Sequence, residues 1–396
     1  MRALSRRHAL AFAVATLAPR AASAAGAGFG AYLDSLWPRV REQGVSRATF
    51  DAALSDLAPD PALMGAGARQ SEFERTIKAY IDDAISAGRV GRGQAARTRW
   101  SDALTRIERK EGVPAEIILA VWGMETDFGK ASAGDKDVIR SLATLAFAQG
   151  RDDLADEVVA ALVMLERGLA TRARLKGSWA GAMGQPQFLP SAYLKYAVSF
   201  GGSGAPNIWT STEDSLASIA HFLRAQGWAP GMVWGTETRV PATFDWRALT
   251  GSFAGFTAQG FRRADGGALP ATGQATLYLP AGAEGPAFLL SDNYWIIKQY
   301  NNSDSYAMSV ALLGERIAGR AAIRAPWPPN FKLLAPSDRV QLQKLLRDRG
   351  FYDGKIDGRF GPSSRDSIHR YQTSAGLAPA DGFASARVLE ALKAGR

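Results

Sequence analysis

Apolar residues recur at helical spacing through the first 230 positions of the chain. Tyr32, Leu36, Val40 and Phe50 predict helix over 29–54, and a Pro- and Gly-containing loop follows over 59–68. Phe73, Ile77, Tyr80, Ile81, Ala84 and Ile85 keep the spacing, and Trp100, Leu104 and Ile107 carry it to a stop near Gly112. Further helices are predicted around Leu154, Val158, Leu162, Leu165 and Leu169, and around Leu216, Ile219, Ala220 and Leu223, stopped by Gly227. Beyond Trp234 the pattern changes. Gly, Pro and Thr become frequent, and 275–280 and 287–300 read as strands, the second with Phe288, Leu290, Ile296 and Tyr300 on one face by period two. Residues 324–336 are a Pro-rich linker by composition. The last stretch, 337–396, predicts three short helices around Val340, Leu342, Leu345 and Leu346, then Ile368 and Tyr371, then Val388, Leu389 and Leu392. Asp353 and Asp357, in the turn-rich run between the first two, lack the further ligands of a calcium loop and read as turn residues. The fold class is mainly α with a small β insertion (α+β), followed by a three-helix module.

One helical stretch carries candidate chemistry. In VPAEIILAVWGMETDFGK, residues 113–130, Pro114 suits a first helical turn and Glu116 suits its positive end. Ile118, Val121, Trp122 and Glu125 fall at i, i+3, i+4 and i+7, so an acid shares a face with three apolar side chains. Gly129 closes the segment and leaves Glu125 in the last turn. Desolvation and the negative end of the dipole both disfavour its ionised form, which is what a general acid in sugar cleavage requires. Asp127 is two residues on, about 200° around the helix from Glu125, and reads as structural.

The chain of 396 residues has an apolar fraction of 46%, a charged fraction of 21% and a formal charge of +9. Residues 1–24 hold four Arg and no acid, so without them the charge falls to +5 (43 basic against 38 acidic residues). This mildly basic balance suits an anionic polymer. Nucleic acid is disfavoured, because aromatic RNA-binding strands and Lys/Arg runs are absent from the sequence. The first 24 residues read as an export signal, with a basic start, an apolar run over 9–17 and small residues at Ala22-Ser23-Ala24. Arg6 and Arg7 resemble a twin-arginine signal, although Ala9 stands where that motif usually has Phe, and Sec export stays open. With no Cys in the chain, disulfides, a Cys nucleophile and acylation at a lipobox are excluded. The expected product is an exported chain with no stable membrane anchor, placed in the periplasm.

Three motifs together resemble the membrane-bound lytic murein transglycosylase B family: WGMETDFG around Glu125, GSWAGAMGQPQFLPSAY at 177–193, and NYWIIKQYNNSDSYA at 293–307. Separately, LQKLLRDRGFYDGKIDGRFGPSSRDSIHRYQ resembles a type 1 peptidoglycan-binding domain. The resemblance implies a lysozyme-like catalytic domain over 25–323 and a wall-binding domain over 337–396, acting on peptidoglycan glycan strands. It also implies Glu125 as the catalytic acid/base, Ser178 and Gln187 holding the sugar near the cleaved bond, and Tyr300, Asn301 and Tyr306 lining the same cleft. General chemistry agrees: an amide such as Gln187 can meet an N-acetyl group, a tyrosine can meet both face and edge of a sugar, and Gly181 and Gly184 allow close backbone approach. Tyr306 reads equally well as a buried tyrosine with a satisfied hydroxyl. Trp179, Phe188 and Tyr196 read as core. The acidic calcium loop of the family's namesake has no counterpart near 199–209, so no metal and no cofactor are expected.

Hydrolases of such bonds ordinarily use two carboxylates, whereas a lytic transglycosylase needs one. The resemblance therefore implies cleavage between MurNAc and GlcNAc with formation of a 1,6-anhydro sugar, with Glu125 as the single acid/base. A hydrolytic muramidase of the same fold and a non-catalytic wall-binding protein are the alternatives.

Overall fold

The computed structural model describes residues 28–65, 76–131, 133–321, 323–329 and 331–395. The expected export signal and Phe73 lie outside the described residues. From the N-terminal side come α1 (Trp37–Glu42), α2 (Arg47–Leu54), α3 (Pro61–Met64), α4 (Ile77–Ala84), α5 (Ala87–Arg99), α6 (Ser101–Glu111) and α7 (Ala115–Thr126). A short β1 (Lys136–Asp137) leads into α8 (Val138–Gln149) and α9 (Asp152–Glu166), then β2 (Lys176–Gly177), α10 (Pro190–Tyr196) and α11 (Thr212–Ala225). There follow β3 (Gly235–Arg239), β4 (Thr250–Ser252), α12 (Phe253–Ala258), β5 (Arg262–Arg263), β6 (Gln274–Tyr278) and β7 (Ala287–Leu290). The chain ends with α13 (Asp292–Tyr300), α14 (Asp304–Ile317), α15 (Pro336–Asp348), α16 (Pro362–Ser374) and α17 (Ala386–Lys393).

Side-chain oxygens start many of these helices by accepting an otherwise orphan backbone N–H. Ser46, Asp60, Thr76, Asp137, Ser252, Ser291, Ser303 and Ser385 all do so. Asp60 and Pro61 explain why a helical turn interrupts the loop expected over 59–68: the carboxylate caps Ala62 N, and the ring pre-sets the first helical residue.

Two compact units emerge, each built from two stretches of sequence: 1–69 with 125–221, and 70–124 with 222–396. In the first, α8 and α9 form the apolar centre, and α1–α3 are stitched to them by polar bonds. Glu166 accepts from Ser46 N at 3.1 Å and Ser46 Oγ at 2.9 Å, and Thr144 Oγ1 accepts from Asp60 N at 3.0 Å. Arg140 donates to the carbonyls of Ala58 and Pro59.

In the second unit α14 is buried along most of its length. Gly314 lets it lie close to α7: a Cβ there would meet Ile117 Cδ1 at 3.1 Å and the Glu116 carbonyl at 3.3 Å. The start of α7 is clamped by charge. Arg320 bonds Glu116 Oε1 at 2.8 Å and Glu315 Oε2 at 2.5 Å, and Trp234 Nε1 donates to Glu315 Oε1 at 3.0 Å. The β insertion is a five-stranded antiparallel sheet in the order β4-β6-β7-β3-β5. Phe244, Phe253, Phe256 and Phe261 pack with Leu277 and Leu289 to form its core.

The expected strand over 287–300 is corrected. Only Ala287–Leu290 is strand, and all four of its residues are buried, as in a strand covered on both faces. Ser291 then accepts from Asn293 N and opens α13, whose Tyr294 and Ile297 are buried at helical spacing. Period two through Ile296 and Tyr300 was coincidental.

The last three helices enclose a small core of Leu342, Leu346, Ile368, Tyr371, Leu389 and Leu392. The buried Gln343 organises the turn-rich run: its Oε1 accepts from Asp357 N and Gly358 N, and its Nε2 donates to the Arg359 carbonyl. Asp357 caps Arg359 N at 2.9 Å, a turn role as expected. This helical module meets the β insertion through a buried carboxylate. Asp381 Oδ2 accepts from Ala283 N at 2.8 Å, while its Oδ1 accepts from Phe383 N at 2.9 Å and Gln372 Nε2 at 3.1 Å.

Candidate active site

Helix α7 is buried almost all round from Ile117 to Trp122, not along one stripe only. Burial of this kind fixes a helix by apolar packing, roughly 1.5–3 kcal/mol for each large side chain. Glu125 is half-buried in the last turn. The helix ends at Thr126. Asp127, Phe128 and Gly129 then take left-handed φ values of 50°, 62° and 74°, and Ala131 N closes the turn on the Thr126 carbonyl at 2.9 Å. Two consecutive non-glycine residues in that region cost about 1–2 kcal/mol each. The expectation that Asp127 points away around the helix is therefore corrected: it has left the helix. Strain of this kind, held by its surroundings, concentrates at working sites.

The loop 177–188 holds Ser178 and Gln187 and is two tight turns. Ser178 N donates to the Ala182 carbonyl at 2.7 Å, and Gly181 N to the Ser178 carbonyl at 3.0 Å. Ser178 Oγ accepts from Ala180 N at 3.3 Å and Ala182 N at 3.1 Å, which leaves its O–H as the part able to donate outward. Met183 and Phe188 exchange backbone bonds at 2.8 and 3.1 Å. Gln187 has φ 53°, a second strained position, and its Nε2 donates to the carbonyls of Ala133 at 3.1 Å and Gly184 at 2.8 Å. Both amide hydrogens are thereby used, and Oε1 is what Gln187 can offer a ligand.

Three contacts weld this loop to the end of α7. Thr126 Oγ1 donates to the Gln185 carbonyl at 3.1 Å. Gln187 bonds Ala133, in the segment that follows the helix. Gly134, at φ 98°, lies so close to the loop that a Cβ would come within 2.0 Å of the Gly177 carbonyl. The structure thus brings Glu125, Ser178 and Gln187 together in the first unit. The expected purpose of Gly181 and Gly184 is corrected: a Cβ at either would strike Leu142 or Ile208, so these glycines make room for protein.

Tyr300, Asn301 and Tyr306 belong to the second unit. Tyr300 and Asn301 end α13, and Ser303 caps α14 through Tyr306 N. The rings of Tyr300 and Tyr306 stack at 6.4 Å with 12° between planes, and Phe222 meets Tyr300 edge-on at 4.8 Å. Tyr306 is buried, as one of its two readings held, while Tyr300 and Asn301 are half-exposed. Beneath them Asp304 accepts from Tyr294 OH at 3.2 Å and Lys298 Nζ at 2.8 Å. Burial, with Tyr278 and Asp304 close by, holds the Tyr294 hydroxyl far above the ordinary phenol range.

Phe188 and Tyr196 are core, as expected, but Trp179 is not: it is 47% exposed. Thr126 and the Ala133 carbonyl were not foreseen as parts of the site, and no sequence signal marks them. Among the described residues no group of three or more His, Asp or Glu could hold a metal ion, and no helix is long and apolar enough to cross a membrane.

Comparison with known proteins adds independent findings. A family model described as a transglycosylase SLT domain matches residues 28–315, and one described as a putative peptidoglycan binding domain matches 336–392. The membrane-bound lytic murein transglycosylase B of Escherichia coli (strain K12) is 34% identical over 249 residues, 60% of this chain and 66% of that one, slightly under two thirds of its length. SltB3 from Pseudomonas aeruginosa, in complex with NAG-anhNAM-pentapeptide, is 38% identical with a TM-score of 0.85, over 92% of this chain and 99% of that one. The same protein in complex with NAG-NAM-pentapeptide gives 37% and 0.84 over the same shares.

Proposed function

The chain belongs to the transglycosylase SLT domain family, and on that premise we propose that it cleaves the β-1,4 bond between MurNAc and GlcNAc in peptide-bearing peptidoglycan strands, leaving a 1,6-anhydro-MurNAc end. The observation that carries this reading is the weld between the Glu125 turn and the Ser178–Gln187 loop, which holds an acid, a hydroxyl and an amide oxygen on one rigid frame. Rigid placement is how a site lowers a barrier without new chemistry.

In this cycle the protonated Glu125 carboxyl gives its proton to the oxygen linking MurNAc C1 to GlcNAc, and the C1–O bond breaks. The acetamido oxygen of MurNAc supports the positive centre, and Gln187 Oε1 accepts from the acetamido N–H to orient it. Ser178 donates to a neighbouring sugar oxygen. The Glu125 carboxylate then takes the proton of the C6 hydroxyl as that oxygen closes on C1. The C6 hydroxyl prevails over water because it is already held beside C1. No water is consumed, so the two products together have the mass of the substrate. The domain roles follow: 25–323 cuts, 324–336 links, and 337–396 grips the wall. Such a substrate places the chain outside the cytoplasm, in the periplasm.

Mass spectrometry of the soluble fragments released from purified sacculi tests the reading. Fragments one water lighter than hydrolysis products and resistant to borohydride are expected from the wild type and absent with Glu125→Gln. Reducing ends would mean a muramidase, and binding without release would mean a wall-binding protein.

A further inference from the structure

From Arg174 to Gly177 the chain alternates outward and inward. Leu175 and Gly177 are buried, while Arg174 and Lys176 stand in solvent. Lys176 and Gly177 pair with β1, and the ribbon runs directly into the Ser178 turn. Trp209 fixes this ribbon from the side: its Nε1 donates to the Lys176 carbonyl at 3.2 Å, its ring lies 5.6 Å from Tyr193, and the Arg174 guanidinium sits 6.0 Å from the ring centroid. Among the described residues neither Arg174 nor Lys176 is in a salt bridge, although Arg172 on the same run pairs with Asp137.

Trp179 follows at the second position of the turn closed by Ser178 and Gly181. That turn cannot relax to bury the ring, because Gly181 already sits against Leu142 and Ser178 Oγ holds Ala180 and Ala182. A large aromatic is thus presented to water on a rigid support, beside the residue expected to touch the sugar. A single exposed apolar residue is unremarkable by itself. Here it shares a ribbon with two unpaired cations. Its ring face is electron-rich and matches the polarised C–H face of a pyranose. A stem peptide carries carboxylates, which the cations would meet.

We propose that this ribbon is a further grip on substrate: the Trp179 ring stacks on a pyranose of the glycan strand, and Arg174 and Lys176 receive the carboxylates of a stem peptide on that strand. The grip deepens the proposed function and rests on peptidoglycan being the substrate. Trp209 positions Arg174 and touches no ligand.

Binding to the full Glu125→Gln chain, by calorimetry with uncleaved strands that carry peptides and strands stripped of them, reads the grip without turnover. Adding Trp179→Ala should weaken both about tenfold, with Trp179→Phe recovering most of the loss. Adding Arg174→Gln with Lys176→Gln should weaken peptide-bearing strands about fivefold to tenfold and bring the two affinities together, more so at low salt. In the active chain the Trp179 change should raise KM and leave kcat within about twofold. Unchanged affinity with Trp179→Ala, or an equal loss on both strands for the double change, overturns the proposal. A wild type that binds strands but releases none overturns the cleavage reading instead, and the binding series still decides the grip.

Discussion

Thr126 Oγ1 donates to the carbonyl of Gln185 at 3.1 Å, across 59 residues of chain. The donor directly follows Glu125, and the acceptor lies two residues before Gln187. This hydrogen bond therefore ties the backbone beside Glu125 to the backbone beside Gln187, the two residues proposed to act on the same sugar.

Thr126→Val keeps the shape and removes the donor. The buried carbonyl it leaves costs about 1–3 kcal/mol, measurable by urea unfolding. Activity on sacculi should fall by more than the stability loss explains, about tenfold or more at a temperature where the chain stays folded. Activity equal to the wild type would remove the bond from the mechanism.

Gly134→Ala places a methyl 2.0 Å from the Gly177 carbonyl at a backbone angle, φ 98°, that alanine avoids. Overpacking and strain together should cost about 2–5 kcal/mol. The expected signature in a thermal melt is a large fall in Tm. Gly30→Ala, in a helix and with nothing within 4 Å of the new methyl, serves as the control and should leave Tm unchanged or slightly raised.

Gln187→Gly relieves the φ of 53° while deleting the two hydrogen bonds that Nε2 donates. These effects oppose each other, so unfolding free energy should change by less than about 1.5 kcal/mol. Release of anhydro fragments should nevertheless drop severely. A stable but inactive chain would mark the strained residue as functional.

The Asp381 carboxylate can be tested by graded substitution. Asp381→Ala strands three donors, on Ala283, Phe383 and Gln372. A loss of about 2–4 kcal/mol is expected, with faster protease cutting in 324–336. Asp381→Asn keeps one acceptor oxygen and should lose less.

Tyrosine titration reports the buried phenols. Burial raises Tyr32, Tyr278 and Tyr294, and pushes Tyr193 up to about 12. A raised folded value means that stability is fully present below the unfolded value near 10 and is lost as pH climbs through the folded one. Ultraviolet titration should therefore show these four ionising late among the ten tyrosines. All ten ionising near pH 10 in a folded chain would contradict the burial.

The helix of Glu125 was legible because Pro114, the apolar run and Gly129 are local signals, and local signals survive packing. The three terminal helices were legible for the same reason. The run 287–300 was misread because Ile296 and Tyr300 satisfy both periods, and only Ser291 as a cap breaks the tie. Trp179 was misread because aromatic residues are usually buried, and nothing in the sequence says that Leu142 already fills the space behind Gly181. The glycines of that loop were legible as necessary but not in purpose: a glycine that admits a ligand and one that admits a leucine look alike in sequence. The weld through Thr126 was invisible, since it joins residues far apart in the chain.

The first unit's polar stitches span long stretches of chain: 84 residues from Asp60 to Thr144, and 120 from Ser46 to Glu166. Between them the segment Gln70–Met124 is committed to the other unit. During synthesis, then, these stitches close only once Thr144 and, later, Glu166 have been made. The first unit is therefore completed only after the segment that interrupts it has been made.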